Sequence, residues 1–171
     1  MIRLGYKVEI ERITEIEEYL DGLSELLMNV VEDGASIGFL PPISKQDAMQ
    51  YWKNVLSPEV VLLVAKSNNQ IAGTVQLHLS MKQNGGHRAE IAKLMAHSEY
   101  RRMGIGRLLM EKAEAVAKQA GRSLIVLDTR EGDASNNLYR SLGYIQAGYI
   151  PNYAKSAGGE LDATIIYYKN I

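Results

Sequence analysis

The sequence predicts an α/β domain in which helices cover a mixed β-sheet. Two observations lead to this fold class. Apolar residues recur at helical spacing in four segments and at strand spacing in seven, in the order β-α-α-β-β-β-α-β-α-β-β. That order combines hairpins with helical crossovers, so both antiparallel and parallel neighbours are expected. A length of 171 residues without a recognisable linker predicts one domain spanning residues 1–171.

The strands are predicted from short runs that are rich in β-branched residues or alternate in polarity. The run that ends at Asp128 is wholly apolar up to that residue, which is typical of a strand at the centre of a sheet. A turn at 67–69 joins two strands into a hairpin, whereas a long loop, 150–162, is predicted between the last two. The predicted strands are residues 2–10, 60–66, 71–79, 87–96, 124–128, 144–149 and 163–169.

The helices are predicted from their apolar spacing and from residues that favour helix ends. Thr14 with Glu17 resembles a capping box at the start of the first helix, and Ser44 with Asp47 opens the second. A proline-containing loop, 34–43, separates these two helices. The predicted helices are residues 14–33, 44–55, 104–120 and 134–142.

Composition and charge exclude several classes of protein. The net charge is −1 with acidic and basic residues interspersed, which argues against a nucleic-acid-binding surface. There is no cysteine, and the three histidines have no metal-ligand spacing, so no metal site is predicted. No apolar run resembles a signal peptide or could span a membrane, so we expect a cytoplasmic protein without a membrane partner.

A loop with the sequence Arg-Arg-Met-Gly-Ile-Gly, residues 101–106, lies between a predicted strand and a strongly periodic helix. A helix N-terminus offers unpaired N–H groups and a partial positive charge, and glycines let these groups approach a ligand closely. Together with the arginines they predict an anion site suited to a pyrophosphate. A Rossmann fingerprint would need glycine at Leu109, and a P-loop would need Gly-Lys-Ser/Thr, so neither motif is present.

This loop resembles the signature of the GNAT acetyltransferases, Arg/Gln-x-x-Gly-x-Gly/Ala, which follows the fourth strand of that fold. Residues 93–96 resemble the strand that pairs with pantetheine, and residues 138–144 resemble the segment that carries the family's tyrosine. Ser98, where many members carry proline, and Arg102, where glycine is frequent, depart from the pattern. The resemblance covers nearly the whole chain. It implies the GNAT fold, a mixed and mostly antiparallel sheet of about seven strands flanked by about four helices.

The resemblance also implies acetyl-CoA as co-substrate, no metal, and direct attack of an amine on the thioester in a ternary complex. The cofactor-binding residues that it implies lie on the strand before the loop, on the loop itself and on the fourth helix. They are Leu94, Met95, Ala96, Arg101, Arg102, Met103, Gly104, Ile105, Gly106, Arg107, Asn136 and Tyr139.

Four catalytic residues are proposed on the same basis. A strand bulge near residues 94–96 would free a backbone N–H for the oxyanion, and Met95 is the candidate. Tyr139 is the candidate acid for the departing thiolate, because a phenol with a pKa of about 10 and a thiol with a pKa of about 8.5 exchange a proton at little cost. Glu90 and Asp128, expected in a partly buried cleft, are both candidates for the base, and the sequence does not decide between them.

Shorter matches resemble the tabtoxin-resistance acetyltransferases, which acetylate the amine of a β-lactam amino acid. These matches are residues 34–39, 88–90, 127–129 and 163–169. In GNAT folds the segments 34–43 and 150–162 would flank the acceptor, so we expect a compact amine with its own carboxylate rather than a protein lysine. The predicted acceptor residues are Phe39, Glu90, Asp128, Tyr149 and Tyr153.

Several alternatives to this reading remain open at the level of sequence. They are a GNAT-like sensor that binds acyl-CoA without turnover and an acetyltransferase of protein lysines or N-termini. Whether the chain acts alone or as a homodimer is also open. Residues 34–38 fit the Gly-x-Ser-x-Gly pattern of hydrolases, but a helix precedes them and two prolines follow, so we interpret the match as coincidental.

Overall fold

A computed structural model describes residues 7–171 and shows a seven-stranded mixed sheet with four α-helices. The predicted fold class is confirmed. The strand order is β1-β2-β3-β4-β5-β7-β6, and among the described residues only the β4–β5 pair is parallel. Residues 2–6 of the predicted first strand lie outside the described residues. The strands are β1 Val8–Ile13, β2 Val60–Ser67, β3 Gln70–Leu79, β4 Arg88–Ala96, β5 Leu124–Arg130, β6 Ile145–Lys155 and β7 Leu161–Asn170.

The helices are α1 Leu20–Glu32, α2 Lys45–Lys53, α3 Ile105–Gln119 and α4 Ser135–Ser141. The predicted cap of α2 is confirmed, because Ser44 Oγ accepts a hydrogen bond from the Asp47 N–H at 3.0 Å. The capping box at Thr14 is wrong. A short 3-10 turn comes first, with Ile16 at its N-cap position, and α1 begins only at Leu20. Neither start has a side-chain capping hydrogen bond. Within residues 7–171, no helix combines the length and the apolar character needed to cross a membrane.

Two apolar cores form because the sheet is covered on both faces. Helices α3 and α4 contribute Leu109 and Tyr139 to the first core. The strand residues in this core come from β2, β3, β4, β5 and β7. Helices α1 and α2 contribute Leu26 and Trp52 to the second core. The strand residues in the second core come from β1, β2 and β4, and none of the described residues of β5–β7 belongs to it. This face of the C-terminal strands therefore remains open for a ligand.

Strands β4 and β5 separate shortly after they begin. Their parallel pairing covers only three residue pairs, from Arg88↔Leu124 to Glu90↔Val126. Farther along β4, Lys93 and Leu94 together face the single residue Val75 of β3, which makes a β-bulge. The two features place a wedge-shaped opening at the centre of the sheet, where ligand sites of open α/β sheets are commonly found.

The last two strands differ from the prediction. The region 150–162 was expected to be a loop, but β6 continues to Lys155 and β7 begins at Leu161. The register is irregular between Ile150 and Ala154, where Pro151 cannot donate a ladder hydrogen bond and Asn152 has a φ of 53°. An edge strand tolerates this irregularity because one of its sides has no partner strand. The side predicted to face the acceptor is therefore bordered by a long hairpin instead of a loop.

Candidate active site

A groove with a volume of about 600 Å³ lies between the end of β4 and the N-terminus of α3. It contains most of the residues that the sequence assigned to the cofactor. These are Leu94, Met95, Ala96, Arg101, Arg102, Gly104, Ile105, Gly106 and Arg107. Ala134, Ser135 and Leu138, at the start of α4 and within it, complete the opposite wall. Met103 does not line the groove, because its side chain packs against the first core.

The first turn of α3 presents unpaired backbone N–H groups at this groove. The first helical hydrogen bond runs from Leu108 N to Gly104 O at 3.1 Å, so the N–H groups of residues 105–107 have no acceptor within the helix. Gly104 has a φ of 79°, in the left-handed region. A Cβ atom on Gly104 would meet no atom within 4 Å, and one on Gly106 would lie 3.1 Å from Leu138. The glycines therefore leave this helix end, with its unpaired N–H groups, accessible.

The three arginines of this region have different partners. Arg101 forms an ion pair with Asp33, which follows α1. Arg107 donates from Nη2 to Ser141 Oγ at 2.6 Å. Arg102 is exposed, and no salt bridge joins it to any residue in the described range 7–171. Of the three, Arg102 is thus the guanidinium that an anion could approach without displacing a partner.

A second cavity, of about 320 Å³, lies on the open face beside β4, β5 and the β6–β7 hairpin. It brings together the predicted acceptor residues Glu90, Asp128 and Tyr153. Thr164, which is buried, donates a hydrogen bond from Oγ1 to Asp128 Oδ2 at 2.8 Å and so fixes one carboxylate. The partly buried setting expected for Glu90 and Asp128 is wrong, because both residues are exposed. Their side chains contact solvent because the second core does not extend over the described residues of β5–β7.

The remaining predicted acceptor residues, Phe39 and Tyr149, do not line the cavity that holds the two carboxylates. Phe39 lines an adjoining cavity of about 250 Å³, which shares Ser36, Gly38, Arg130 and Ala154 with the cavity of about 320 Å³. Its ring packs edge-on against Tyr51 with centroids 5.0 Å apart. Tyr149 is exposed on β6 and lines neither cavity, and its hydroxyl donates to Glu131 at 3.4 Å. The structure thus groups Phe39 near the site but separates Tyr149 from it.

Lys93 is the site residue that sequence reasoning missed. It occupies the β4 bulge with a φ of 56°, which is uncommon for a residue with a side chain. Its Nζ donates to the Ile37 carbonyl at 2.6 Å and lies 5.8 Å from the centre of the Phe39 ring. Burial lowers the pKa of Lys93, and the nearby Asp128 and Glu90 partly offset this effect. A half-buried cation therefore shares the cavity with two carboxylates.

Comparison with known proteins identifies the family. The sequence matches the Acetyltransferase (GNAT) family over residues 34–144, well over half of the chain. The chain belongs to the GNAT acetyltransferases. The match includes β4, the arginine–glycine loop, α3 and α4, which are the elements that form the groove. Membership in this family was expected from the loop motif and is confirmed.

Solved structures of GNAT proteins have the same fold. A GNAT acetyltransferase from Streptococcus pneumoniae is 19% identical with a TM-score of 0.80, covering 96% of this chain and 100% of its own. A ribosomal-protein-alanine N-acetyltransferase from Brucella melitensis is 21% identical with a TM-score of 0.81, covering 95% of this chain and 99% of its own. A Salmonella typhimurium protein, proposed to be an acetyltransferase, contains its cofactor acetyl-CoA. It is 16% identical with a TM-score of 0.79, covering 96% of this chain and 94% of its own.

Tyr139 of this GNAT chain lies in an aromatic cluster. Its ring is 5.9 Å from that of Tyr144 and 6.0 Å from that of Tyr167. Burial raises the pKa of the Tyr139 phenol well above its ordinary value, with further contributions from Asp133 and Asp128. The phenol thus keeps its proton at neutral pH. Proton transfer from this phenol to a thiolate is less favourable than the ordinary pKa values of the two groups suggest, because burial disfavours the phenolate that would form.

Asn136 has a structural place in the GNAT fold of this chain. Its Nδ2 donates to the carbonyl oxygens of Arg130 and Asp133, each at 2.9 Å, and its Oδ1 accepts from the Tyr167 hydroxyl at 2.8 Å. The residue is buried, and both polar atoms of its amide are already hydrogen-bonded. A contact with the cofactor would require breaking these hydrogen bonds, so Asn136 is not part of the cofactor site proposed below.

Proposed function

We propose that this protein transfers the acetyl group of acetyl-CoA to the amine of a small molecule that also carries a carboxylate. The observation that supports the proposal best is that two cavities flank the β4 bulge. Lys93 lines the cavity with the carboxylates, and the next residues, Leu94 and Met95, line the groove at the α3 N-terminus. A donor in the groove and an amine in the cavity would be neighbours, and such placement accounts for much of the catalysis of acyl transfer.

The groove has the features that a CoA pyrophosphate and its attached chain require. The N–H groups of residues 105–107 and the side chain of Arg102 would hold the phosphates, since helix N-termini and guanidinium groups both favour anions. The strand end at residues 94–96 would bind the pantetheine part. Acetyl-CoA, when bound, supplies an acyl group that is already activated as a thioester.

The residues around the bulge have three roles in this proposal. Glu90 and Asp128 attract the acceptor ammonium and take up its proton, with Asp128 oriented by Thr164. The backbone N–H of Met95 stabilises negative charge on the carbonyl oxygen, while its buried side chain fixes the strand in the second core. Tyr139 holds a proton for the sulfur that departs.

For the acceptor, we propose an amino acid or a tabtoxin-like β-lactam amino acid. The cavity of about 320 Å³ is at the small end of typical ligand sites. It is bordered on one side by the loop residues Ser36 to Gly38 and on the other by Tyr153 and Ala154 of the hairpin. The hairpin thus takes the place of the expected loop, and an acceptor between these walls would be compact.

An acceptor screen tests the proposal. Amino acids, β-lactam amino acids, polyamines, aminoglycosides and a histone-like peptide are incubated with acetyl-CoA, and thiol release is measured. We expect the highest kcat/KM with a small amine that carries a carboxylate. A far higher kcat/KM with the peptide would overturn the proposed acceptor. Stabilisation by acetyl-CoA without turnover of any amine would indicate a sensor instead of an enzyme.

Tyr139→Phe is expected to lower kcat by about 10²- to 10⁴-fold, the usual contribution of a general acid. Acetyl-CoA affinity should change little, because the substitution removes only one hydroxyl and alters none of the side chains that line the groove. Steady-state rates and cofactor titration measure the two effects. Tyr144→Phe is the matched control, since it removes a buried hydroxyl from the neighbouring ring. If Tyr139→Phe keeps full activity under conditions where release of the thiolate limits the rate, Tyr139 has a packing role only.

A further inference from the structure

We propose that Lys93 determines acceptor specificity by binding the acceptor's carboxylate while Glu90 and Asp128 bind its ammonium group. This inference rests on the proposed function, since it requires that the cavity beside the bulge holds the acceptor. It adds a residue for the carboxylate, which the two acidic residues would repel.

The β4 bulge directs Lys93 into the acceptor cavity. In a regular strand successive side chains alternate between the two faces, and Ile91 belongs to the first core. After the bulge Leu94 packs on the first core and Met95 lies in the second, so one residue has been inserted into the alternation. Lys93 is that inserted residue, and its left-handed backbone costs about 1–2 kcal/mol. Strain of this kind is concentrated at functional sites.

Lys93 is the cation of this cavity that remains available to a ligand. Arg130, the other cation in the lining, donates to Asp133 at 2.8 Å and lies 3.8 Å from Asp162. By contrast, the Lys93 ammonium donates to a neutral carbonyl, that of Ile37, and forms no ion pair with any residue that the structure describes. Since an ammonium has three donors, two are left for an incoming anion.

The arrangement of charges complements an α-amino acid. In such a molecule the ammonium and carboxylate groups are attached to one carbon, so opposite charges lie side by side. The cavity likewise places Lys93 beside Glu90 and Asp128. Burial lowers the pKa of Lys93, and an incoming carboxylate would favour its charged form. A plain amine has no carboxylate to pair with Lys93. At a peptide N-terminus, the residue that carries the amine has no free carboxylate either.

The test compares an accepted amino acid with its primary amide, which has nearly the same shape but no negative charge. Thiol release is measured with the wild-type protein, Lys93→Met, Lys93→Arg and the control Lys112→Met, an exposed lysine on α3. Lys93→Met is expected to lower kcat/KM for the amino acid roughly 10- to 100-fold, the range of a charged hydrogen bond. The amide should be affected by less than about 3-fold, Lys93→Arg should retain part of the preference, and Lys112→Met should behave as wild type.

An equal loss for the amino acid and its amide would overturn the inference, because it would mean that Lys93 only anchors the loop through Ile37. Equal use of both acceptors by the wild-type protein would overturn it without any variant, so misfolding of Lys93→Met cannot hide the result. If no small amine is acetylated at all, the proposed function itself fails, which the wild-type screen shows separately. Acetyl-CoA stabilisation of each variant confirms that the groove is intact.

Discussion

The double variant Glu90→Gln, Asp128→Asn is expected to lose turnover of every acceptor while it still binds acetyl-CoA. Both carboxylates line the acceptor cavity and neither lines the cofactor groove. Their removal leaves no acidic side chain on β4 or β5 to attract the acceptor ammonium or to take its proton, although Asp162 of β7 also lines the cavity. Loss of one general base costs about 10²- to 10⁴-fold, and removing both should reduce thiol release to background.

The single variants identify the base, because the one with the larger loss and the shifted acidic limb of the pH–rate profile carries the proton. Thermal melting with and without acetyl-CoA shows whether the cofactor still binds. The matched control is Glu25→Gln, Glu111→Gln, which removes the same charge from exposed positions on α1 and α3. A double variant at Glu90 and Asp128 with normal kcat/KM would mean that the proton leaves by another route.

Gly104→Val is expected to remove the stabilisation that acetyl-CoA gives to the wild-type protein. Binding at 100 times Kd adds about 2.7 kcal/mol, which in a chain of this size raises Tm by roughly 5–10 °C. A branched side chain at Gly104 would enter open space beside the N–H groups of α3, because no atom lies within 4 Å of the Cβ position. It would therefore block the approach of phosphates to the helix end, and the ligand-dependent Tm shift measures the loss.

Gly121→Val controls for backbone strain. Gly121 has a φ of 75° and Gly104 one of 79°, and both have open space at the Cβ position. Gly121 follows the other end of α3 and does not line the groove. Both variants should lose about 1–2 kcal/mol of stability from the left-handed backbone, yet only Gly104→Val should lose the shift. An unchanged shift in Gly104→Val would show that the pyrophosphate lies elsewhere.

Sequence patterns predicted the fold where local signals and tertiary packing agree. The β-branched run 60–66 became β2, and the periodic run before Gly121 became α3, each within about two residues of the predicted ends. The error at residues 150–162 has a local cause. Pro151 and Asn152 are typical of a loop, but pairing with β7 on one side is enough to continue an irregular edge strand through them.

The site was predictable where it follows a motif and hidden where it depends on backbone geometry. The glycine–arginine loop predicted the groove because a helix N-terminus has the same chemistry in any fold. The bulge was expected near residues 94–96, but not that Lys93 would occupy it. Without the bulge, strict alternation would place residue 93 on the face of Ile91. Likewise, the exposure of Glu90 follows from where the second core ends, because none of the described residues of β5–β7 belongs to that core.

Because β4 and β5 pair over only a short parallel segment, this sheet has more unpaired backbone N–H and C=O groups than its number of strands implies. An open sheet normally has two edges, here β1 and β6 within the part of the chain that the structure describes. Beyond Glu90 and Val126 the separated strands add two inner edges, whose N–H and C=O groups face a gap instead of a neighbour. Outer edges can recruit strands of other molecules and so promote aggregation, and Pro151 interrupts one of them. In the proposed function, the gap between the inner edges holds a small molecule, to which these backbone groups would offer hydrogen bonds.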